Sequence, residues 1–319
     1  MAAETQECPG SAENTGQKCV PVMRVLNSLI WVFRVDSTGA LNSIDTTQTL
    51  NQAYFDSMIN HADPTKRWYP LYEMKNIEDE RADSLFESFN DGSKIWINQG
   101  ARSFKGLTVD APFNSPQYLG KLQSRRNQDG AVFGITKDKA IVGKQGSDST
   151  MVYPVGISAG SWDALFVKSQ DQKSQKVLVM FDFDQLEEDK DLRPILQTEM
   201  LYDVSLLRGL YDVTASYSGI STTAVTVRLV TDGGTVMNPV VLQGLSVADF
   251  VSSATGVPSK VRNLTDGADI TISSATETSP GVYDLVITPA QTVADKIAID
   301  VDAPGYDFAK VVANPYTVV

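Results

Sequence analysis

The sequence predicts an all-β protein with one or two short helices, built as a β-sandwich or barrel domain followed by an immunoglobulin-like sandwich. Three observations predict it. Short apolar runs rich in β-branched and aromatic residues recur between Gly, Asp and Ser turns through the first two thirds of the chain. The last third alternates apolar and polar residues with period two. No regular alternation of strands with long helical patterns is present, which argues against a parallel α/β sheet. The composition places the larger unit at residues 1–205 and the smaller at 206–319. From Leu206 onward three Lys and three Arg face eleven acids, a net −5, which leaves −7 of the chain's −12 to the first unit.

A Pro- and Gly-containing leader carries the only two cysteines, Cys8 and Cys19. They can close a disulfide, worth about 2–4 kcal/mol in an oxidising setting, or remain two thiols. Both readings stay open. Val20 to Val35 then reads as one or two strands, and Asp36-Ser-Thr-Gly39 as a turn. Thr46 to His61 predicts a helix, capped by Asp45 or Thr47, with Leu50, Tyr54, Met58 and Ile59 at helical spacing and Asp63-Pro64 as its stop.

Trp68 to Met74 is extended. Ser84–Phe89 and Lys94–Asn98 flank Asn90-Asp-Gly-Ser93, a strong hairpin signal because Gly accepts the positive φ of a tight turn. Ala101–Val109 is expected as the third strand of a meander. Ser115 caps a short helix that starts with Pro116. Strands follow at 131–136, 140–142, 151–155, 165–169 and 176–183. The charge run Glu187-Glu-Asp-Lys-Asp191 opens the boundary region, 186–210.

In the smaller unit Val225, Val227 and Leu229 alternate with polar residues. Ile270 and Ile272 alternate with Thr271 and Ser273, Tyr283, Leu285 and Ile287 with Asp284, and Ile297, Ile299 and Val301 with Ala298 and Asp300. Each strand buries one face and wets the other, as a two-sheet sandwich requires. Asp232-Gly-Gly234, Asp266-Gly267, Ser279-Pro-Gly281 and Ala303-Pro-Gly305 supply the turns.

The chain is 42% hydrophobic and 21% charged, the balance of an ordinary folded protein. A net charge of −12 repels phosphate backbones and anionic lipid, so neither specific nucleic-acid binding nor membrane docking is expected. The polar, acidic opening is unlike a signal peptide, and no apolar run is long enough to span a bilayer, so a cytoplasmic origin is expected.

Chemistry-bearing motifs are weak. Gly156-Ile-Ser158-Ala-Gly160 matches a nucleophile-elbow pattern, but the base it needs would have to be His61, the only histidine, which precedes it. A turn is the better reading. The acids Asp182, Asp184, Glu187, Glu188, Asp189 and Asp191 lack the spacing of a calcium loop and read as a solvated loop, and Asp300 and Asp302 as the wet face of a strand. Trp31, Trp68, Trp96 and Trp162 read as core or interface residues. No catalytic, cofactor or metal site is expected.

The stretch from Trp68 to Asp184, with Tyr69-Pro-Leu-Tyr-Glu-Met-Lys-Asn-Ile77, the Asn90–Ser93 hairpin, the Pro116 helix and the returning strands through Phe183, resembles the tail-tube (major tail) proteins of long-tailed bacteriophages. The appended Val/Thr-rich sandwich is similar to the immunoglobulin-like domain that some of them carry on the outer face. The resemblance implies a virion structural protein, assembled in the host cytoplasm and without enzymatic activity. In the family's pattern its subunits would close into homomeric six-membered rings that stack, meet other virion proteins and let DNA pass without specific binding. The rival reading is a capsid-decorating or host-surface glycan-binding virion protein.

Overall fold

The computed structural model describes residues 25–61, 63–108, 115–146, 148, 150–169, 175–187, 189–234, 237–250, 261–301, 303 and 305–319. The chain is mostly antiparallel β, with three short α-helices among the described residues. It divides into two compact units between Arg208 and Gly209.

The first unit runs through β1 (Leu26–Phe33), β2 (Ile44–Asp45), α1 (Gln52–Ile59), β3 (Tyr69–Pro70), β4 (Met74–Arg81), β5 (Leu85–Ser88), β6 (Lys94–Asn98) and β7 (Arg102–Thr108). It continues with α2 (Pro116–Gln123), β8 (Gly130–Thr136), β9 (Ile141–Gln145), β10 (Met151–Tyr153), β11 (Val155–Gly156), β12 (Asp163–Val167), β13 (Lys176–Asp182) and β14 (Leu192–Ile195). One sheet is ordered β2-β10-β9-β8-β1-β3, with β11 on β8 and β14 on β9. The second is ordered β12-β13-β7-β4.

The two sheets share a core. Leu29 and Trp31 of β1 and Val132 of β8 meet Phe104 of β7 and Val177, Val179 and Phe181 of β13. Phe181 stacks on Phe104 at 5.0 Å and on Trp162 at 5.4 Å, and Trp162 Nε1 donates to Leu122 O of α2 at 2.9 Å. The other face of the larger sheet is covered as well. Phe133 of β8 meets Trp68, and Trp68 meets Phe55 of α1. Burial on both faces is why β1 from Leu29 to Phe33 and β8 from Ala131 to Ile135 read as continuous apolar runs rather than alternating ones.

Helix α1 is shorter than the sequence suggests. Asn51 caps it, its Oδ1 accepting the Tyr54 N–H at 3.0 Å. Asp45 cannot cap, because its carboxylate accepts the Thr47 N–H and hydroxyl. The buried face is Phe55 and Ile59, an i, i+4 pair, with Leu50 buried ahead of the helix. The expected Ser115 cap of α2 is present: its hydroxyl accepts the Tyr118 N–H at 3.1 Å. In the boundary region Ile195, Met200, Val204 and Leu207 are all buried, and Leu201 N–H donates to Leu50 O. This segment packs as part of the first unit.

The turns of this unit share one device. Asp36, Asp45, Asp63, Asp91, Asp148 and Asp203 each precede a Ser or Thr by two positions, and each carboxylate accepts both the N–H and the hydroxyl of that residue. Much of the acidity is therefore turn chemistry. The Ser37 and Thr65 hydroxyls hold the Asp63 carboxyl down at about 2, and the Thr38, Thr47, Ser93 and Thr150 hydroxyls lower Asp36, Asp45, Asp91 and Asp148. A depressed folded pKa contributes stability above the unfolded value of 3.8 that is lost as pH falls through the folded value. The first unit should therefore lose stability between pH 4 and pH 2, roughly the interval separating the unfolded and folded values. Thermal melts across that interval check this. The second unit, with fewer such turns, should change less.

The second unit holds β15 (Tyr211–Ser218), β16 (Ala224–Gly234), β17 (Pro239–Val241), β18 (Arg262–Asn263), β19 (Thr271–Ser279), β20 (Val282–Thr288), β21 (Lys296–Ala298), β22 (Tyr306–Asp307), α3 (Ala309–Val312) and β23 (Tyr316–Thr317). One sheet is ordered β19-β20-β16-β15, with β22 beside β15 and β17 on β16; the other is ordered β18-β21-β23. In chain order these are the D-E-B-A and C-F-G sheets of a constant-type immunoglobulin sandwich. The predicted inward residues Val225, Val227, Leu229, Ile270, Ile272, Tyr283, Leu285, Ile287, Ile297, Ile299 and Val301 all lie in its core. The turn expected at Asp232–Gly234 is instead the end of β16, bulged against β17.

Gly281 closes the β19–β20 hairpin at φ +70°, and a Cβ there would sit 2.6 Å from Val241 Cβ. Gly281→Ala should destabilise the second unit by about 1–3 kcal/mol, through backbone strain and overpacking together. Chemical denaturation reads this as a lower midpoint for that unit alone.

Candidate assembly interface: an exposed β-ribbon

The expected meander is not formed. Strands β5 and β6 pair only with each other, while β7 pairs with β4 and β13. The register of β4 and β7 ends at Arg81↔Arg102, and that of β5 and β6 begins at Leu85↔Asn98. The Asn90–Ser93 turn is therefore the tip of an arm whose root lies in the smaller sheet. Strand β4 was not expected, since Met74–Arg81 is almost wholly polar; its pairing with β7, rather than its composition, makes it a strand.

The arm carries six large apolar side chains, Leu85, Phe86, Phe89, Ile95, Trp96 and Ile97, each between 41% and 59% exposed. Phe86 lies opposite Trp96, and Glu87 opposite Ile95. Residues two apart share a face, so Phe86 and Trp96 mark one face and Ile95 and Ile97 the other. An isolated two-stranded ribbon is at best marginally stable in water, and this one exposes apolar surface on both faces. Trp31, Trp68 and Trp162 are core residues; Trp96 alone of the four is exposed.

The arm's root is densely charged. Arg102 Nε and Nη2 grip the Asp79 carboxylate at 2.6 Å each, Arg102 Nη1 lies 3.4 Å from Asp189 Oδ1, and Arg81 Nη2 donates to the same oxygen at 2.8 Å. Glu187 accepts from Lys144 Nζ at 2.6 Å and from the Gly156 N–H at 3.0 Å, and Asp184 accepts from Arg34 at 3.0 Å. Of the acids expected to be a solvated loop, Asp184, Glu187 and Asp189 are thus paired. Glu188 and Asp302 lie outside the described residues, as do Cys8 and Cys19.

Two of the other sheet edges are blunted. On edge strand β12, Ala164 O accepts from Gln123 Nε2 at 2.9 Å and its N–H donates to Asp163 Oδ1 at 2.7 Å. Edge strand β14 contains Pro194, which offers no N–H.

Ser158 sits in the turn between β11 and β12. Its N–H donates to Asp182 O and its carbonyl accepts from the Ser161 hydroxyl. A nucleophile elbow needs a strand-to-helix turn, whereas this turn joins two strands. His61 is engaged elsewhere: its Nδ1 accepts the Asp63 N–H at 3.0 Å. No group of three or more metal-ligating side chains occurs among the described residues, and no described helix is long and apolar enough to cross a membrane. No protein-family model matches the chain, and no curated protein matches it significantly.

Proposed function

We propose that this protein is a self-assembling virion structural subunit, of the tail-tube kind, whose copies join into stacked rings around a conduit for DNA. The observation that carries the reading is the arm: a ribbon that folds out of a packed sheet and presents apolar side chains on both faces. Such a ribbon gains stability only when a partner covers it. A second copy of the chain is the partner this reading assigns. An arm that seats on a different surface of its neighbour makes a head-to-tail contact, and head-to-tail contacts propagate into rings or filaments.

The blunted edges of β12 and β14 favour the arm over edge pairing as the principal contact. An acidic subunit suits a conduit through which DNA passes without adhering. The immunoglobulin-like unit serves as an appended decoration. Electron microscopy of the purified chain across a concentration series tests the proposal. Rings or tubes are expected; a monomer at every concentration contradicts it.

A further inference from the structure

We infer that the Asp189 carboxylate is a latch that fixes the direction in which the arm leaves the sheet; its purpose, though not its geometry, rests on the assembly reading above. Arg81 and Arg102 lie directly opposite each other at the last rung of the β4–β7 ladder. Like charges in that position repel. Asp189 Oδ1 lies between them, 2.8 Å from one guanidinium and 3.4 Å from the other.

Arg81 is a tie in its own right, since its Nη1 donates across the ribbon to Gly100 O at 3.1 Å. The two backbones approach closely here: a Cβ on Gly100 would fall 1.9 Å from Ala82 O. The Ala82 N–H donates to Ala101 O at 2.8 Å. Beyond this point the strands of the ribbon, β5 and β6, pair with each other.

The carrier of Asp189 is itself anchored. Glu187, two residues earlier, is held by Lys144 of β9 and the Gly156 N–H of β11, and β14 begins at Leu192 against β9. The latch therefore ties the arm's root, in the smaller sheet, to the larger sheet. Half-exposed ion pairs are individually weak and salt-sensitive. Acting together at a break in the ladder, they select one orientation. An arm held in its docking orientation loses less conformational freedom when it binds.

Hydrogen exchange on the full chain, at a concentration too low for assembly, tests this. Asp189→Asn should speed exchange in residues 82–101 by about fivefold or more, while Phe104 and Val179 stay protected. Asp191→Asn, the same charge change on a neighbour that makes none of these contacts, should exchange like the wild type. Salt at about 1 M should reproduce the Asp189→Asn pattern. If Asp189→Asn lowers protection of the core, Arg81→Gln takes its place; it removes the Gly100 tie together with the Asp189 tie, so it should speed exchange in the arm at least as much. Wild-type exchange in the arm of the substituted chain overturns the latch. Sedimentation at high concentration reads assembly separately: a wild type that stays monomeric defeats the assembly reading, while the exchange result still decides the latch.

Discussion

A chain carrying Phe86→Ser and Trp96→Ser together is expected to stay folded and to stop assembling. The two side chains face each other across the ribbon and are about half exposed, at 54% and 51%. Their unburied half is what a partner can cover. Full burial of such a side chain is worth about 1.5–3 kcal/mol, so the covered halves together contribute about 1.5–3 kcal/mol per contact. At about 1.4 kcal/mol per decade, the concentration needed for assembly should rise roughly 10- to 140-fold. The folded subunit should barely notice, because substitutions at exposed positions usually change stability by less than about 0.5 kcal/mol. Sedimentation velocity reads the first effect and thermal melting the second. Unchanged assembly would remove the arm from the interface. A large drop in melting temperature would show instead that the arm is part of the subunit's own core.

The contrast between the two units shows where sequence patterning informs and where it does not. Much of the immunoglobulin-like core was legible from period two, which reports burial directly where a strand buries one face, as in β16 and β20; Leu242, Phe250, Phe308 and Val311 lie outside such strands and gave no such signal. In the first unit β1 and β8 are covered on both sides, so their apolar runs gave strands but no facing. The arm was legible as a hairpin from Asn90-Asp-Gly-Ser93 but not as an arm. Whether β7 pairs with β6 or with β4 is decided by contacts between residues far apart in the sequence, and nothing local encodes that choice. Strand β4 was hidden by its polarity. The charge run at 187–191 looked like solvated surface because its partners, Lys144, Arg81 and Arg102, are distant in sequence. One signal was available and was passed over: the repeated Asp-x-Ser/Thr spacing marked six turns of the first unit, each with a mechanism.

Phe181→Ala should unfold the first unit preferentially and leave the second standing. Phe181 is 2% exposed, stacks on both Phe104 and Trp162, and meets Phe183 edge-on at 5.0 Å. Its removal opens a cavity between two sheets whose backbones are held by their own ladders and cannot collapse to fill it. Such a truncation costs about 3–5 kcal/mol, a large share of the roughly 5–15 kcal/mol that stabilises a typical domain. At about 2–4 °C per kcal/mol for a unit of this size, its melting transition should fall by about 6–20 °C. No residue of the second unit's core belongs to this cluster, so that unit's own transition should keep its midpoint. Differential scanning calorimetry resolves the two. A single transition that shifts as a whole would mean that the units fold cooperatively. The same variant separates two routes to lost assembly. Phe181→Ala loses it because the sheet that roots the arm is unfolded, and cooling should restore it. The Phe86→Ser and Trp96→Ser chain loses it with the sheet intact, and cooling should not.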